Sequence, residues 1–254
     1  MSAIRQFRGV ARTVSFAALA FGLTSPAHAD DACRLVTLGT ATVRAASEAG
    51  IALDDGRTLR LAGIEPASVP EIPAGTRLTL KRLGSEADRY GRLNAHVFIA
   101  DDGAERWFQA DLVARGLARV SSRVGDPACA RLLLAREQAA RAAKLGLWGE
   151  QVYVMGNAED PAEVLKGRGR FALVEGKVLS VRESGGTIYV NFGRRWSEDF
   201  TVTIAKRNER MFSAAGLVPK SLSGRRVRIR GWIEERGGPW VEAARPEQIE
   251  VLDH

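Results

Sequence analysis

Histidine and cysteine are nearly absent from this 254-residue chain, which has three of the first and two of the second. Cys33 and Cys129 lie far apart, and no Cys-x-x-Cys spacing occurs, which excludes a zinc finger and a dithiol redox motif. His28 falls in the N-terminal segment and His254 is the last residue. That leaves His96, which reads as a satisfied surface residue on a strand, so chemistry built on paired imidazoles is excluded. No Walker loop, Rossmann glycine pattern or nucleophile elbow is present. Long apolar runs are missing too. Val14 to Leu23 is about half of what a membrane span needs, and no other stretch comes close.

That short run belongs to a recognisable segment. Arg5, Arg8 and Arg12 precede it and Ala27-His28-Ala29 follows it, the order of a secretory signal with a small-residue cleavage site. Residues 1–29 therefore read as a signal peptide, with an uncleaved anchor as the alternative. Cys33 follows Asp31 and Ala32, which is not a lipid-attachment pattern. The expectation is an exported, periplasmic or secreted protein with no membrane span after cleavage.

Charge is divided unevenly over the remainder. Residues 30–165 carry 17 Lys/Arg against 19 Asp/Glu, whereas residues 166–254 carry 17 against 11. Attraction for a polyanion is expected mainly in the C-terminal half. The pattern along the chain is mostly β. Residues 35–44 alternate and are β-branched; 51–53 and 58–62 flank Asp54-Asp55-Gly56, a strong hairpin signal. Residues 77–83 and 92–99 make two more strands. In the last, Leu93, Ala95, Val97 and Ile99 are expected to face inward, with Arg92, Asn94, His96 and Phe98 outward. Two helices follow. Trp107 to Arg115 is closed by Gly116, and Pro127 to Lys144 is opened by Asp126 as N-cap. Five such strands suit a small oligonucleotide/oligosaccharide-binding (OB) barrel.

Three stretches carry the sharpest pattern: Arg60-Leu-Ala-Gly-Ile-Glu-Pro-Ala-Ser68, Asp88-Arg-Tyr-Gly-Arg92, and Trp107 to Trp148. In order, spacing and content they resemble the thermonuclease (staphylococcal nuclease-like) family, over roughly residues 35–148. The resemblance implies phosphodiester chemistry in which Arg60 holds the scissile phosphate and Arg92 stabilises the developing negative charge. Arginine suits both tasks because its planar fork binds phosphate bidentately and stays charged. Asp88, Arg89 and Tyr90 would be phosphate and base contacts. The family's fold also places the start of the first strand near the start of the last helix. In an oxidising compartment, that implies a Cys33–Cys129 disulfide.

The acids depart from the family's pattern. Its motif after the first arginine runs Arg-Leu-x-Gly-x-Asp-x-Pro-Glu; here Glu65 stands for the aspartate ligand and Ser68 for the general-base glutamate. The upstream Asp-Gly-Asp-Thr motif corresponds to Ser47-Glu48-Ala49-Gly50. Calcium takes six to eight oxygen ligands, so Glu65 alone would hold it poorly, and serine is no general base near neutral pH. Glu48 or Glu71 are the acids able to substitute. Ser68 to Thr76 is also too short for the family's intervening helix, and its base-stacking tyrosines correspond to Ser122 and Val124.

Residues 151–169 read as a linker, with Asp160-Pro161-Ala162-Glu163 as a capped helical turn. Residues 170–254 then read as a second OB-like β domain of three strands, a helix and two strands. In its strand from Arg225, the residues Arg226, Arg228, Arg230 and Trp232 share one face, opposite Val227, Ile229 and Ile233. Such a row of cations with a ring suits a single-strand-binding groove; an ordinary exposed face balanced by Glu234, Glu235 and Glu242 is the alternative. Arg194-Arg195-Trp196 adds a basic, aromatic turn.

The expected protein is thus mainly β with helices (α+β), a thermonuclease-like barrel joined to an OB-like domain. It would bind nucleic acid, DNA or RNA, with weak or no catalysis. No cofactor is expected, apart from calcium if the site is functional, and a protein partner is left open. One alternative is an active phosphodiesterase using Glu65 with Glu48 or Glu71. Another is a cell-envelope module that binds protein or glycan.

Overall fold

The computed structural model describes residues 33–82, 90–101, 103–121, 124–149, 153–195 and 197–252. The expected signal segment, Asp88, Arg89, Ser122 and Trp196 lie outside the described residues.

The N-terminal half is organised by one long strand. β1 (Val36–Ser47) pairs with β2 (Gly50–Leu53) at one end and with β5 (Arg77–Arg82) at the other. It can serve both because its register shifts between Val43 and Ala45 and again between Thr37 and Gly39. Such bulges add twist and coil a strand around a barrel. β3 (Thr58–Leu61) returns beside β2 through the Asp-Asp-Gly turn, and β4 (Ile64–Pro66) follows at once. β6 (Leu93–Asp101) pairs antiparallel with β5 and parallel with β3, which closes a five-stranded barrel in the order β3-β2-β1-β5-β6. β7 (Ala104–Trp107), not expected from the sequence, extends β6 as a hairpin and leads into α1 (Phe108–Ala114).

β8 (Ala118–Val120) pairs with β4, and α2 (Pro127–Ala142) completes the half. Asp126 caps α2 as its composition implied, accepting from the Ala128 and Cys129 amides, with Pro127 at the first helical position. The Cys33–Cys129 disulfide is present, with Cα atoms 4.9 Å apart, and fastens the approach to β1 onto the first turn of α2. Residues 67–76 form no helix, as the short spacing required.

The alternation expected for β6 holds on one face only. Leu93, Ala95 and Val97 are buried, but so are His96 and Phe98. The second face is covered because Trp107 packs edge-on to His96 and stacked on Phe98, and His96 Nε2 donates to the Val124 carbonyl at 3.0 Å. Gln109 ties the region together. Its amide donates to the Ala95 carbonyl and its side-chain oxygen accepts from the Val97 amide, both at 2.9 Å.

From Gly156 on, the stretch expected to be a linker belongs to the second half. β9 (Gly156–Asn157) runs parallel to β10 (Phe171–Lys177), and α3 (Pro161–Leu165), capped by Asp160, buries Val164 in the second core. β11 (Ser180–Ser184), β12 (Thr187–Asn191) and β13 (Thr201–Ala205) form a meander. α4 (Glu209–Ala214) leads to β14 (Arg226–Trp232), β15 (Glu234–Arg236), β16 (Gly238–Glu242) and β17 (Ile249–Val251). The result is two sheets, β17-β14-β10-β9 and β11-β12-β13-β16-β15, around one apolar core. Chain corners at Val178–Leu179 and at Ile233 carry the backbone from one sheet to the other, the device by which small barrels turn. This core is separate from that of the first half.

Candidate functional site

The parallel pairing of β3 with β6 assembles the candidate site. Its register sets Leu59 beside Leu93 and Arg60 beside Asn94. Leu59 and Leu61 are buried in the barrel, so Arg60 points away from the core. Arg92, two residues before Asn94, lies on the same side. Both arginines line one cleft of about 390 Å³, together with Glu48, Ala49, Glu65 and Ser68. Gly50 lets the β1–β2 hairpin form its wall. It has a φ of +133°, and a Cβ there would lie 2.6 Å from the Leu59 carbonyl oxygen.

Each arginine is already held. Arg60 Nη2 donates to both carboxylate oxygens of Glu65, at 2.9 and 3.1 Å. Arg92 Nη1 donates to the Ala49 carbonyl at 3.2 Å, and its guanidinium stands 5.1 Å from the ring centre of Tyr90. Tyr90 itself is 66% exposed beside Arg92, where a ring offers a stacking face.

Calcium is the ion that the family resemblance implies. Glu65 is the acid in the expected place, and Arg60 engages both its oxygens. Glu48 lines the same cleft, whereas Glu71 is exposed and outside its wall. Among the described residues no three of His, Cys, Asp and Glu come together as a metal-holding group. An ion that wants six to eight oxygens does not fit this donor set. Ser68, which the resemblance aligns with the family's general base, is exposed on the rim of the cleft.

Residues 74–150 match the family described as Staphylococcal nuclease homologue. Over this stretch the chain is similar to staphylococcal nuclease. The matched stretch runs from the turn before β5 to just beyond α2, so it includes Arg92 and Cys129 and begins after the Arg60–Ser68 loop. No curated protein matches the chain.

The arginine row of the second half is placed differently from the sequence expectation. Arg230, expected in an open groove, is completely buried against the nuclease-like domain. Its Nη1 donates to the Val120 carbonyl at 2.9 Å, and its Nη2 donates to Glu137 at 2.9 Å and also to Glu250. Burial opposes its charge, but the Glu137 and Glu250 carboxylates outweigh burial and raise its pKa further. Arg228 is mostly covered as well, donating to Glu175 at 2.6 Å and to Glu250 at 3.0 Å. Burial alone would raise the Glu250 carboxyl, but the charges of Arg230, Arg141 and Arg228 prevail and hold it below its ordinary value. Arg226 stays exposed, 3.7 Å from Glu175. Arg230 clasps the two halves together, because α2 and β8 of the nuclease-like domain pack where solvent was expected, while Arg228 is engaged by acids of its own half. Trp232, at the end of the row, is exposed.

Sequence reasoning missed Glu137. It is buried on α2 and also accepts from the Val120 amide at 2.8 Å and from Arg141. The signal was there. Ala130, Leu133, Glu137 and Ala140 form one helical stripe, and a carboxylate on an apolar stripe demands a buried cation.

Proposed function

We propose that this is an exported nucleic-acid-binding protein whose phosphodiester-recognising element is the Arg60–Arg92 cleft, and that it hydrolyses its ligand weakly or not at all. One observation carries the reading: two arginines, one on β3 and one just before β6, converge on one cleft, beside an exposed tyrosine, with a single acid locked onto Arg60. Two guanidinium forks can take the non-bridging oxygens of a phosphate. Hydrolysis also needs an activated water and, in this family, a metal to hold it. The Glu65–Arg60 pair engages the acid required for that. The presence of a nuclease-like domain supports nucleic acid as the ligand class. Export rests on the N-terminal segment and fits the Cys33–Cys129 bond.

The test is fluorescence anisotropy with labelled DNA and RNA oligonucleotides at low and at raised salt. Binding that weakens steeply with salt is expected; absence of binding at low salt refutes the reading. A second reading, an active phosphodiesterase, draws on Glu48 and Glu65 lining the same cleft. It requires cleavage of plasmid or single-stranded RNA that depends on calcium, stops with EDTA, and is abolished by Arg92→Ala.

A further inference from the structure

The Arg60–Arg92 cleft continues past Glu65. Glu65, Pro66 and Ala67 form a wall shared with a second cavity, of about 510 Å³, which opens between the two halves of the molecule. β4 carries this wall and spans roughly 10 Å at the rise of an extended strand, so the two cavities are neighbours. Pairing of β4 with β8 places Arg119 directly opposite Glu65. The Arg119 guanidinium lies 4.8 Å from the ring centre of Tyr153 and 5.5 Å from that of Phe171, and its Nη1 donates to the Phe171 carbonyl at 2.8 Å. Across β10 and β14, Phe171 pairs with Trp232, which lines the same cavity and is 45% exposed. Arg170 adds a second, exposed cation on its wall.

The charge balance of this groove favours an anion. Its two acids are Glu65 and Glu163, and each already has a cation: Arg60 for the first and Lys166 for the second. Arg119 and Arg170 are left to set the sign. Cations interleaved with a half-exposed indole are the elements of a stacking platform for unpaired bases.

We propose that the ligand is single-stranded nucleic acid. Its backbone runs from the Arg60–Arg92 cleft across β4 into the groove between the halves, where Trp232 stacks one base and Arg170 meets a phosphate. This rests on the nucleic-acid-binding reading of the cleft. A duplex keeps its bases stacked on one another and offers none to Trp232, whereas a single strand presents splayed bases. Neither half builds the groove alone. Arg119 comes from the nuclease-like domain, and Trp232 and Arg170 from the second half, held in place by the Arg230 clasp.

The experiment compares the full-length protein with Trp232→Ala, Trp232→Phe, Arg170→Ala and Arg92→Ala. The probes are a fluorescein-labelled oligothymidylate of about twelve nucleotides, a length within the range one OB barrel covers, and a blunt DNA duplex. Trp232→Ala is expected to weaken single-strand binding about tenfold, with Trp232→Phe largely restoring it and duplex binding unmoved by either. Arg170→Ala is expected to weaken single-strand binding about threefold and to lower the salt slope by about one. Arg92→Ala weakens both probes. If Trp232→Ala leaves single-strand affinity unchanged while Arg92→Ala reduces it, the groove is refuted and the cleft reading stands. Equal losses on both probes from Trp232→Ala also overturn the single-strand assignment. If the unmodified protein binds neither probe at low salt, groove and cleft readings fall together.

Discussion

Two arginine pairs in this protein are built from the same local pattern and do opposite things. Arg60, on β3, and Arg92, at the entry to β6, project into an open cleft, where each is held by a partner at its rim. Arg228 and Arg230 project from alternate positions of β14, and Arg230 is buried completely by the neighbouring domain. Strand alternation sets only that each side chain leaves its own core. What lies opposite decides whether the cation meets solvent and a ligand, or a carboxylate from α2. The lesson is that a basic strand face is a binding surface only after the packing of the whole chain is known.

The largest effect that would break this comparison is loss of the clasp. Arg230→Ala leaves Glu137 buried without its principal cation and is expected to destabilise by about 3–5 kcal/mol, read as a lower midpoint in chemical denaturation. A midpoint shift of less than about 1 kcal/mol would mean that the two arginine pairs are alike after all. Reduction of the Cys33–Cys129 bond comes next. The bond closes a long loop and should contribute roughly 2–4 kcal/mol, measurable as a drop in Tm under reductant that Cys33→Ala with Cys129→Ala reproduces.

Acid should lower stability first at His96 and then at the clasp. Buried His96 is held below its ordinary value of 6.5, chiefly by desolvation. The unfolded chain therefore takes up its proton first, and stability is lost as pH falls below 6.5. Glu250 is held below 4.5 by Arg230, Arg141 and Arg228 against the opposing effect of burial. Its contribution is complete above 4.5 and disappears as pH falls through the lowered value. Tm followed from neutral pH to about 4 and below is expected to fall in two stages, the lower one flattened in Glu250→Gln. A single stage shared with that variant would show that the network carries no pH-dependent stability.

Smaller effects sharpen the other side. Arg92→Ala should cost about tenfold in oligonucleotide affinity, as expected for a charge-assisted phosphate contact, with a denaturation midpoint within about 0.5 kcal/mol of the unmodified protein. Glu65→Gln should strengthen binding by about threefold, because it releases Arg60 from a carboxylate that competes with the phosphate. Weaker binding in Glu65→Gln would show that Glu65 supports the ligand instead of masking the arginine.

The barrel, its two helices, the caps at Asp126 and Asp160 and the pairing of Cys33 with Cys129 were legible because each rests on local or family-wide pattern. The convergence of Arg60 and Arg92 was legible for the same reason. His96 and Phe98 were misread because alternation says which side of the sheet a residue occupies, and nothing about whether Trp107 and Val124 cover that side. Residues 151–169 read as a linker, although the turn at Asp160 was legible, because a two-residue strand carries too little periodicity to be recognised and one helical turn does not say what it packs on.

The sequence by itself determined the five barrel strands, the helix ends, and the presence of two cleft arginines with few acids around them. These follow from side-chain period, capping chemistry and residue identity, which act over a few positions. Only the tertiary structure decided that Glu65 grips Arg60, that Glu137 receives Arg230, and that Trp232 is exposed beside a groove that both halves build. Those outcomes depend on which surfaces meet, and burial and charge pairing between distant segments are properties of the packed molecule.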